Sequence, residues 1–548
     1  MSASFQDLPP PPSYTCDRST RTDSSQKHES APPPMDLKMV ASHHSPQQPY
    51  ESCCMLDDRF LLLGHVVHGV QCLDFAYPVE PRTIIWLRAR HMVLIESCRL
   101  VLMIAGRNKR VRCYSLDALL RLCYALSNAD WSKRTHPEYN VPSLELWQKL
   151  GASNPIAKNS NNNSGNDNDN NNTSVNGGDN DVHFGDGGKD TQSSLSTNHL
   201  ALVNKNSIGL AKPCYFCNGV ALQNYYYKLP EGKDVLSLQT YQTSAYLFVA
   251  MHMQNKVVVW QRRRDTLLRP FHKLKEFWLP TEPRSISFAD DRATLKYLVA
   301  VFSSEATVIG LQDSIVRTVP IDKKWEELHH RMALRDQLLA QQQRVHHDSN
   351  NSNNINIHSN YRFRSHSSPQ LFQPISMRWT SLIQLPFYPD SIPTTLLTTD
   401  FSNPPTYDTV ISSSPNIASD PVGLSSAIAP QLFFATLGRH SYIVDLSGAL
   451  FSTMVYSWSV EPSHVEFICL DGEWCAVGFA AENVELINMR SSKSVHPLMH
   501  GVPVRFLGRW DVGKKCKALF WSCLVLNKTL VYKLESSGSI SARDQDNV

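Results

Sequence analysis

An all-β fold, and within that class a seven-bladed β-propeller, is what this sequence predicts. One unit recurs seven times: an apolar run of about six residues, a short polar turn, then a second apolar run. Most arms of these units are apolar on both faces rather than alternating, so the strands are buried between neighbours. Seven buried hairpins with few intervening helices leave stacked sandwiches or a propeller. A propeller explains the missing wet face, because each blade covers the next. Insertions then fall between blades, where a long excursion costs only slowly growing loop entropy.

Taken in order, residues 1–53 are rich in Pro, Ser, His and Gln and are expected to form a disordered arm. The propeller is expected over residues 54–536, with 537–548 as a disordered tail. Its hairpins are Phe60–Phe75, Leu100–Leu116, Ala245–Trp260, Tyr297–Leu311, Leu432–Leu446, Cys475–Met489 and Ala518–Leu534. Asn255 supplies the turn of the third, and Ala481-Glu482-Asn483 that of the sixth. Three insertions interrupt the series. Residues 155–205 hold an Asn/Asp/Gly tract, 322–372 combine a helix with a disordered stretch, and 400–430 form a Ser/Pro-rich loop. Helices are expected at Asp117–Ser127 and Asp322–His346. In the second, Trp325, Leu328, Met332 and Leu339 make one stripe, interrupted at Arg335, that suits packing on the propeller flank. Trp260, Phe277, Trp278, Phe288, Trp458 and Trp521 are expected mostly in the core.

Composition narrows the function. In 548 residues, 53 Lys and Arg stand against 50 Asp and Glu, a net charge of +3, too balanced for a chain built around nucleic acid. No apolar run is long enough to span a membrane, and the first residues lack the basic and apolar regions of a secretory signal. The 13 cysteines are odd in number and mostly sit inside apolar runs, as at Cys72, Cys98, Cys475 and Cys523. That is the usage of reduced core thiols and predicts a cytoplasmic protein.

Signals for catalysis or metal are poor. Cys214 and Cys217 form a lone CxxC with no second pair, and Gly177–Asp181 is a single copy of a calcium-repeat-like pattern that cannot stack. His329-His330 and His346-His347 are expected as solvated helix positions. Arg262-Arg263-Arg264 is expected in a solvated inter-blade loop, where it offers at most weak peripheral contact with an anionic membrane. No catalytic, cofactor-binding or metal-binding residue is expected. One short motif stands out. Pro11-Pro12-Ser13-Tyr14 and Pro404-Pro405-Thr406-Tyr407 both read Pro-Pro-x-Tyr, in segments expected to be flexible. Composition alone predicts roughly 0.07 such tetrapeptides, and proline clustering raises that several-fold. A WW domain holds this ligand by packing the pre-organised prolines between aromatic rings while the tyrosine fills a second pocket. Pro11, Pro12, Tyr14, Pro404, Pro405 and Tyr407 are therefore the candidate binding residues, with HECT-type ubiquitin ligases as candidate WW-domain partners.

Read in order, the strand segments resemble the citron homology (CNH) domain. They begin with FLLLGHVVHGVQCLDF at Phe60–Phe75, IIWL at Ile84–Leu87, RLVLMIAGRNKRVRCYSLDALL at Arg99–Leu120 and KPCYF at Lys212–Phe216. KLKEFWLPTEPRSISFADD at Lys273–Asp291 and YLVAVFSSEATVIGL at Tyr297–Leu311 follow. The C-terminal part runs through Leu432–Leu450, YSWSVEPSHVEF at Tyr456–Phe467 and CAVGFAAENVELINMRSSKSVHPLMHGVPVRFL at Cys475–Leu507. The similarity covers roughly residues 55–536. One stretch departs from it: Arg439–Asp445 stands where the family commonly has a Phe-Gly-containing strand.

The resemblance implies a protein-interaction propeller that engages a small GTPase or its regulators. In relatives it accompanies Rho-type exchange factors, citron and germinal-centre kinases, and vacuolar tethering subunits. The kinase Gly-rich loop and His-Arg-Asp motif are not in this sequence, so only the binding role carries over. The expected function is a non-enzymatic scaffold or adaptor in small-GTPase signalling or membrane traffic. The alternative is a fragment of a longer Rho-type guanine nucleotide exchange factor or kinase lacking its catalytic part.

Overall fold

The computed structural model describes residues 35–77, 80–127, 141, 143–152, 216–217, 220–265, 269–291, 294–351, 377–387, 431–490, 495–512 and 515–536. Seven four-stranded antiparallel sheets account for nearly all of the described strands. Blade 1 takes Tyr50–Leu56, Phe60–His65, Gly69–Asp74 and Arg82–Ile85. Blade 2 takes Ala89–Ile95, Leu100–Ala105, Arg110–Ser115 and, after an insertion, Tyr226–Lys228. Blade 3 is Ser237–Gln242, Tyr246–Met253, Lys256–Arg263 and His272–Trp278. Blade 4 is Ser285–Asp291, Thr294–Val301, Ala306–Gly310 and Val316–Thr318. Blade 5 is Trp379–Gln384, Phe433–Leu437, His440–Val444 and Tyr456–Ser457. Blade 6 is His464–Leu470, Glu473–Phe479, Asn483–Asn488 and Val495–His500. Blade 7 is Val504–Val512, Lys515–Val525, Lys528–Ser536 and, from the other end of the chain, Met35–His44. First strands of successive blades touch around the ring, and blade 7 meets both blade 6 and blade 1, so the propeller closes.

Each hairpin expected from sequence is the second and third strand of one blade. Phe60–His65, Leu100–Ala105, His440–Val444 and Asn483–Asn488 are buried along their whole length, as strands sandwiched between blades must be. In blade 3, Val249 pairs with Trp260 and Ala250 with Val259; in blade 4, Val299 pairs with Val308. Trp260, Trp458 and Trp521 are fully buried. Trp278 is not: it ends the outer strand of blade 3, where it is 69% exposed with the Lys256 ammonium 5.3 Å from its ring centre.

The N-terminal boundary needs correction. Residues 35–44 are not part of a disordered arm but the outer strand of blade 7, paired from Met35 opposite Ser536 to His44 opposite Lys528. Residues 50–53 begin the first strand of blade 1. An outer strand is wet on one side, so Lys38, Ser42 and His44 fit there, and the apolar hairpin signature is missing.

Among the described residues, three α-helices decorate the ring. Helix α1, Leu116–Leu126, starts directly from the third strand of blade 2, capped by Ser115 Oγ accepting from Ala118 N–H at 3.4 Å. Helix α2, Leu144–Ala152, has no counterpart in the sequence reading; it seats Trp147 on Tyr227, 5.6 Å between ring centres. Helix α3, Lys323–Asn351, links blades 4 and 5.

Candidate partner-binding surfaces

Consecutive strands alternate in direction, so the connections from first to second and from third to fourth strand emerge on one face, here the upper face. The turns from second to third strand, and the linkers between blades, emerge on the lower face. Upper-face contacts follow this rule. Ser536 Oγ donates to Asp471 Oδ1 at 2.6 Å, Gln384 Nε2 donates to the Asp290 carboxylate at 2.6 Å, and Phe387 stacks on Trp474 at 5.1 Å.

Pro11, Pro12, Tyr14, Pro404, Pro405 and Tyr407 all lie outside the described residues, as do Cys214 and the Gly177–Asp181 stretch. Their flanks are described. The chain reaches blade 7 at Met35, opposite Ser536 on the upper face. It leaves blade 5 after Gln384 and returns at Phe433, again on the upper face, because those residues end the first strand and begin the second. Both Pro-Pro-x-Tyr segments are therefore tethered to one side of the propeller.

Helix α3 docks on the flank of blade 5. Asp322 caps it, its Oδ1 accepting from Trp325 N–H at 2.7 Å. Trp325 packs edge-on against Trp379 at 5.5 Å and lies 5.8 Å from Tyr442. His329, expected in solvent, is 4% exposed with Nδ1 3.0 Å from Tyr442 Oη. Asp336 reaches His440 Nε2 at 3.2 Å and Arg439 at 3.6 Å. The docked face thus runs Trp325–His329–Asp336, and Leu338 and Leu339 stay exposed. The expected stripe holds at Trp325 and Leu328, which pack against the blade 5 core, and Arg335 is exposed as expected, but Leu339 is exposed too, because beyond the first turns Tyr442 and His440 recruit the polar positions His329 and Asp336.

Burial, with His440 and His330 adding to it, pushes the His329 imidazole down to about 4; burial likewise lowers His440 despite Asp336. Burial also brings His65 and His91 to about 4. A histidine held below its unfolded value of 6.5 gives stability that is present above that pH and lost as pH falls toward about 4. Thermal melts should therefore drop across that window. His329→Gln should remove one proton from the slope, ~1.4 kcal/mol per pH unit. An unchanged slope would mean that His329 is not buried as described.

A charged cluster bridges blades 6 and 7. Arg509 donates to Glu466 at 2.8 Å and to Asp511 at 2.8 Å, and His464 Nε2 lies 2.9 Å from Glu466. Burial pushes the Glu466 carboxyl upward, but Arg509 and His464 outweigh it and hold it at about 2. Burial raises Asp511 despite Arg509. A carboxylate held so acidic is a poor proton acceptor, so this cluster serves to lock two blades together. Among the described residues no group of three His, Cys, Asp or Glu side chains could hold a metal ion.

The arginine triplet also differs from expectation. Arg262 and Arg263 belong to the third strand of blade 3, and Arg262 is fully buried with its guanidinium 5.6 Å from the Phe271 ring centre. Arg263 pairs with Asp265 at 2.9 Å, and Arg264 donates to the Thr243 carbonyl. Arg263, Arg264, Ser97, Ser244 and Tyr246 line an open cleft of about 250 Å³ between blades 2 and 3. Asp265 offsets one of its two cations, so the triplet supplies far less positive field than its sequence suggests.

No family model matches the chain, and no curated protein matches it. Among solved structures the chain is similar to the AfRom2 CNH domain, at 10% identity across 92% of this chain and 100% of that one, with a TM-score of 0.46.

Proposed function

We propose that the protein is a non-enzymatic scaffold in which a rigid propeller presents two tyrosine-containing proline motifs to WW-domain proteins on one side. The supporting observation is the common upper-face tethering of the two segments, at blades 5 and 7. Between Tyr14 and Met35 the chain has 20 residues and between Phe387 and Pro404 it has 16, long enough for both motifs to meet one tandem WW array. The resemblance of the strand segments to the citron homology domain supports a second role for the propeller body, contact with a small GTPase or its regulators. Unpaired thiols at ten of the described cysteines suit a cytoplasmic setting.

Tyr14→Ala and Tyr407→Ala should each weaken capture by about 1–2 kcal/mol, because the ring is one of two anchors. The double variant should lose more than either alone. Phosphorylation of either tyrosine should act like the alanine change by placing charge in an apolar pocket. The check is a pull-down with purified WW domains of HECT-type ligases. Retention of the double variant at wild-type level would refute the WW-ligand assignment.

A further inference from the structure

The lower face carries a second surface that the tethered motifs do not use. In the sector of blades 7, 1 and 2 three large apolar side chains stand out from it at loop apices: Leu526 at 92% exposure, Val67 at 75% and Trp86 at 62%; elsewhere on this face Trp278 of blade 3 and Val460 before blade 6 are also exposed. They occupy the second turn of blade 7, the second turn of blade 1 and the linker from blade 1 to blade 2, three consecutive positions around the ring. A continuous chain of backbone contacts joins these loops. Ser45 N–H donates to Asn527 O at 3.0 Å, Val66 N–H to Pro49 O at 2.7 Å, and Gly106 N–H to Arg88 O at 3.0 Å. Gly69, at φ +79°, lies so close that a Cβ there would meet Ile85 O at 2.1 Å, which holds the Val67 turn against the Trp86 linker.

Leu526 points most clearly to use. It and Asn527 have φ of +48° and +62°, the left-handed pair of a tight hairpin turn. Such turns favour Asn and Gly, and a branched apolar residue there is strained. The chain accepts that strain while leaving the leucine almost wholly in water. Nothing in folding rewards this, whereas a partner that buries the side chain would.

The charge around these tips is positive. Arg107, Lys109, Arg505 and Lys528 belong to the same loops and strand ends; of the nearby acids, Glu51 lies between Arg88, which binds it in a bidentate pair, and Arg505, and Asp234, beside the Arg107–Lys109 turn, pairs with Lys233, so the cations stay in excess. Isolated apolar tips, one of them tryptophan, set among cations in excess match the headgroup layer of an anionic bilayer. Tryptophan favours that layer, and each basic residue near it adds attraction. We propose that the lower-face sector formed by blades 7, 1 and 2 docks onto an anionic membrane surface, with Trp86, Val67 and Leu526 inserted among the headgroups. The upper face, with its tethered motifs, then points away from the membrane. This reading is independent of the WW-ligand assignment.

The test is sedimentation of the full chain with vesicles of phosphatidylcholine alone or mixed with phosphatidylserine. Binding is expected only with phosphatidylserine, and it should weaken at least several-fold between about 0.1 and 0.5 M salt. Trp86→Ala combined with Leu526→Asn should reduce partitioning roughly 10-fold or more, and Arg107→Glu with Lys109→Glu by a similar factor. All four sites are at the surface, so melting temperatures should stay near wild type. Arg263→Glu with Arg264→Glu, on the upper face, should change nothing. Absence of binding to phosphatidylserine vesicles overturns the proposal. So does binding that survives the lower-face changes, or capture of the wild type by an acidic protein with no vesicle binding.

Discussion

Deleting residues 1–44 should unfold the propeller under conditions in which deleting residues 1–34 leaves it intact. The outer strand of blade 7 pairs with Lys528–Ser536 from Met35 to His44, with one irregularity between Met39 and Ala41. Its end is tied by Ser45 N–H to Asn527 O at 3.0 Å, and Ala41 is buried against the core between blades 7 and 1. Net contributions of about 0.5–1.5 kcal/mol per hydrogen bond put the loss on the order of 5 kcal/mol. That is comparable with the whole stability of a typical domain. It falls at the ring closure, where the two ends of the chain are joined. The shorter deletion keeps every contact made by the described residues. Urea midpoints of the two truncations decide the matter, and equal midpoints would mean that Met35–His44 does not close the ring. A peptide of residues 35–44 supplied in excess should restore part of the loss by mass action.

Trp521→Ala should cost about 3–5 kcal/mol. Trp521 lies in the second strand of blade 7 and has no exposed surface. It stacks on Tyr532 at 6.1 Å and meets Phe479 of blade 6 edge-on at 5.9 Å. Its removal would empty the seam between the last two blades, where the surrounding strands cannot collapse without breaking register. Its indole N–H has no hydrogen-bond partner among the described residues, so Trp521→Phe gives up packing volume but no polar contact. That change should cost clearly less than the alanine change, about 1.5 kcal/mol or less. Denaturation of the two variants checks both numbers. Equal losses would show that the indole contributes through something other than packing.

How much of this was legible in sequence follows from where each strand sits. The middle strands were found in all seven blades because double-sided burial writes itself as unbroken apolar runs. The inner and outer strands were harder. Met35–His44 and Val316–Thr318 are largely wet on one side or both, and their composition matches that of loops. Helix α3 was placed correctly along the chain, and Trp325 and Leu328 of its expected stripe do pack on blade 5, but the polar part of the docked face was missed, because His329 and Asp336 answer to Tyr442 and His440 more than 100 residues away.

By itself the sequence determined the all-β class and the number of blades. Each is local chemistry: runs and turns. Only the tertiary structure decided that the N-terminal strand closes blade 7, that both motif segments leave from the upper face, and that Leu526, Val67 and Trp86 gather on the lower one. Those facts depend on the parity of strands and on which blades become neighbours when the ring shuts. No window along the chain contains the two ends of the protein at once, yet the fold is held together by the pair they form.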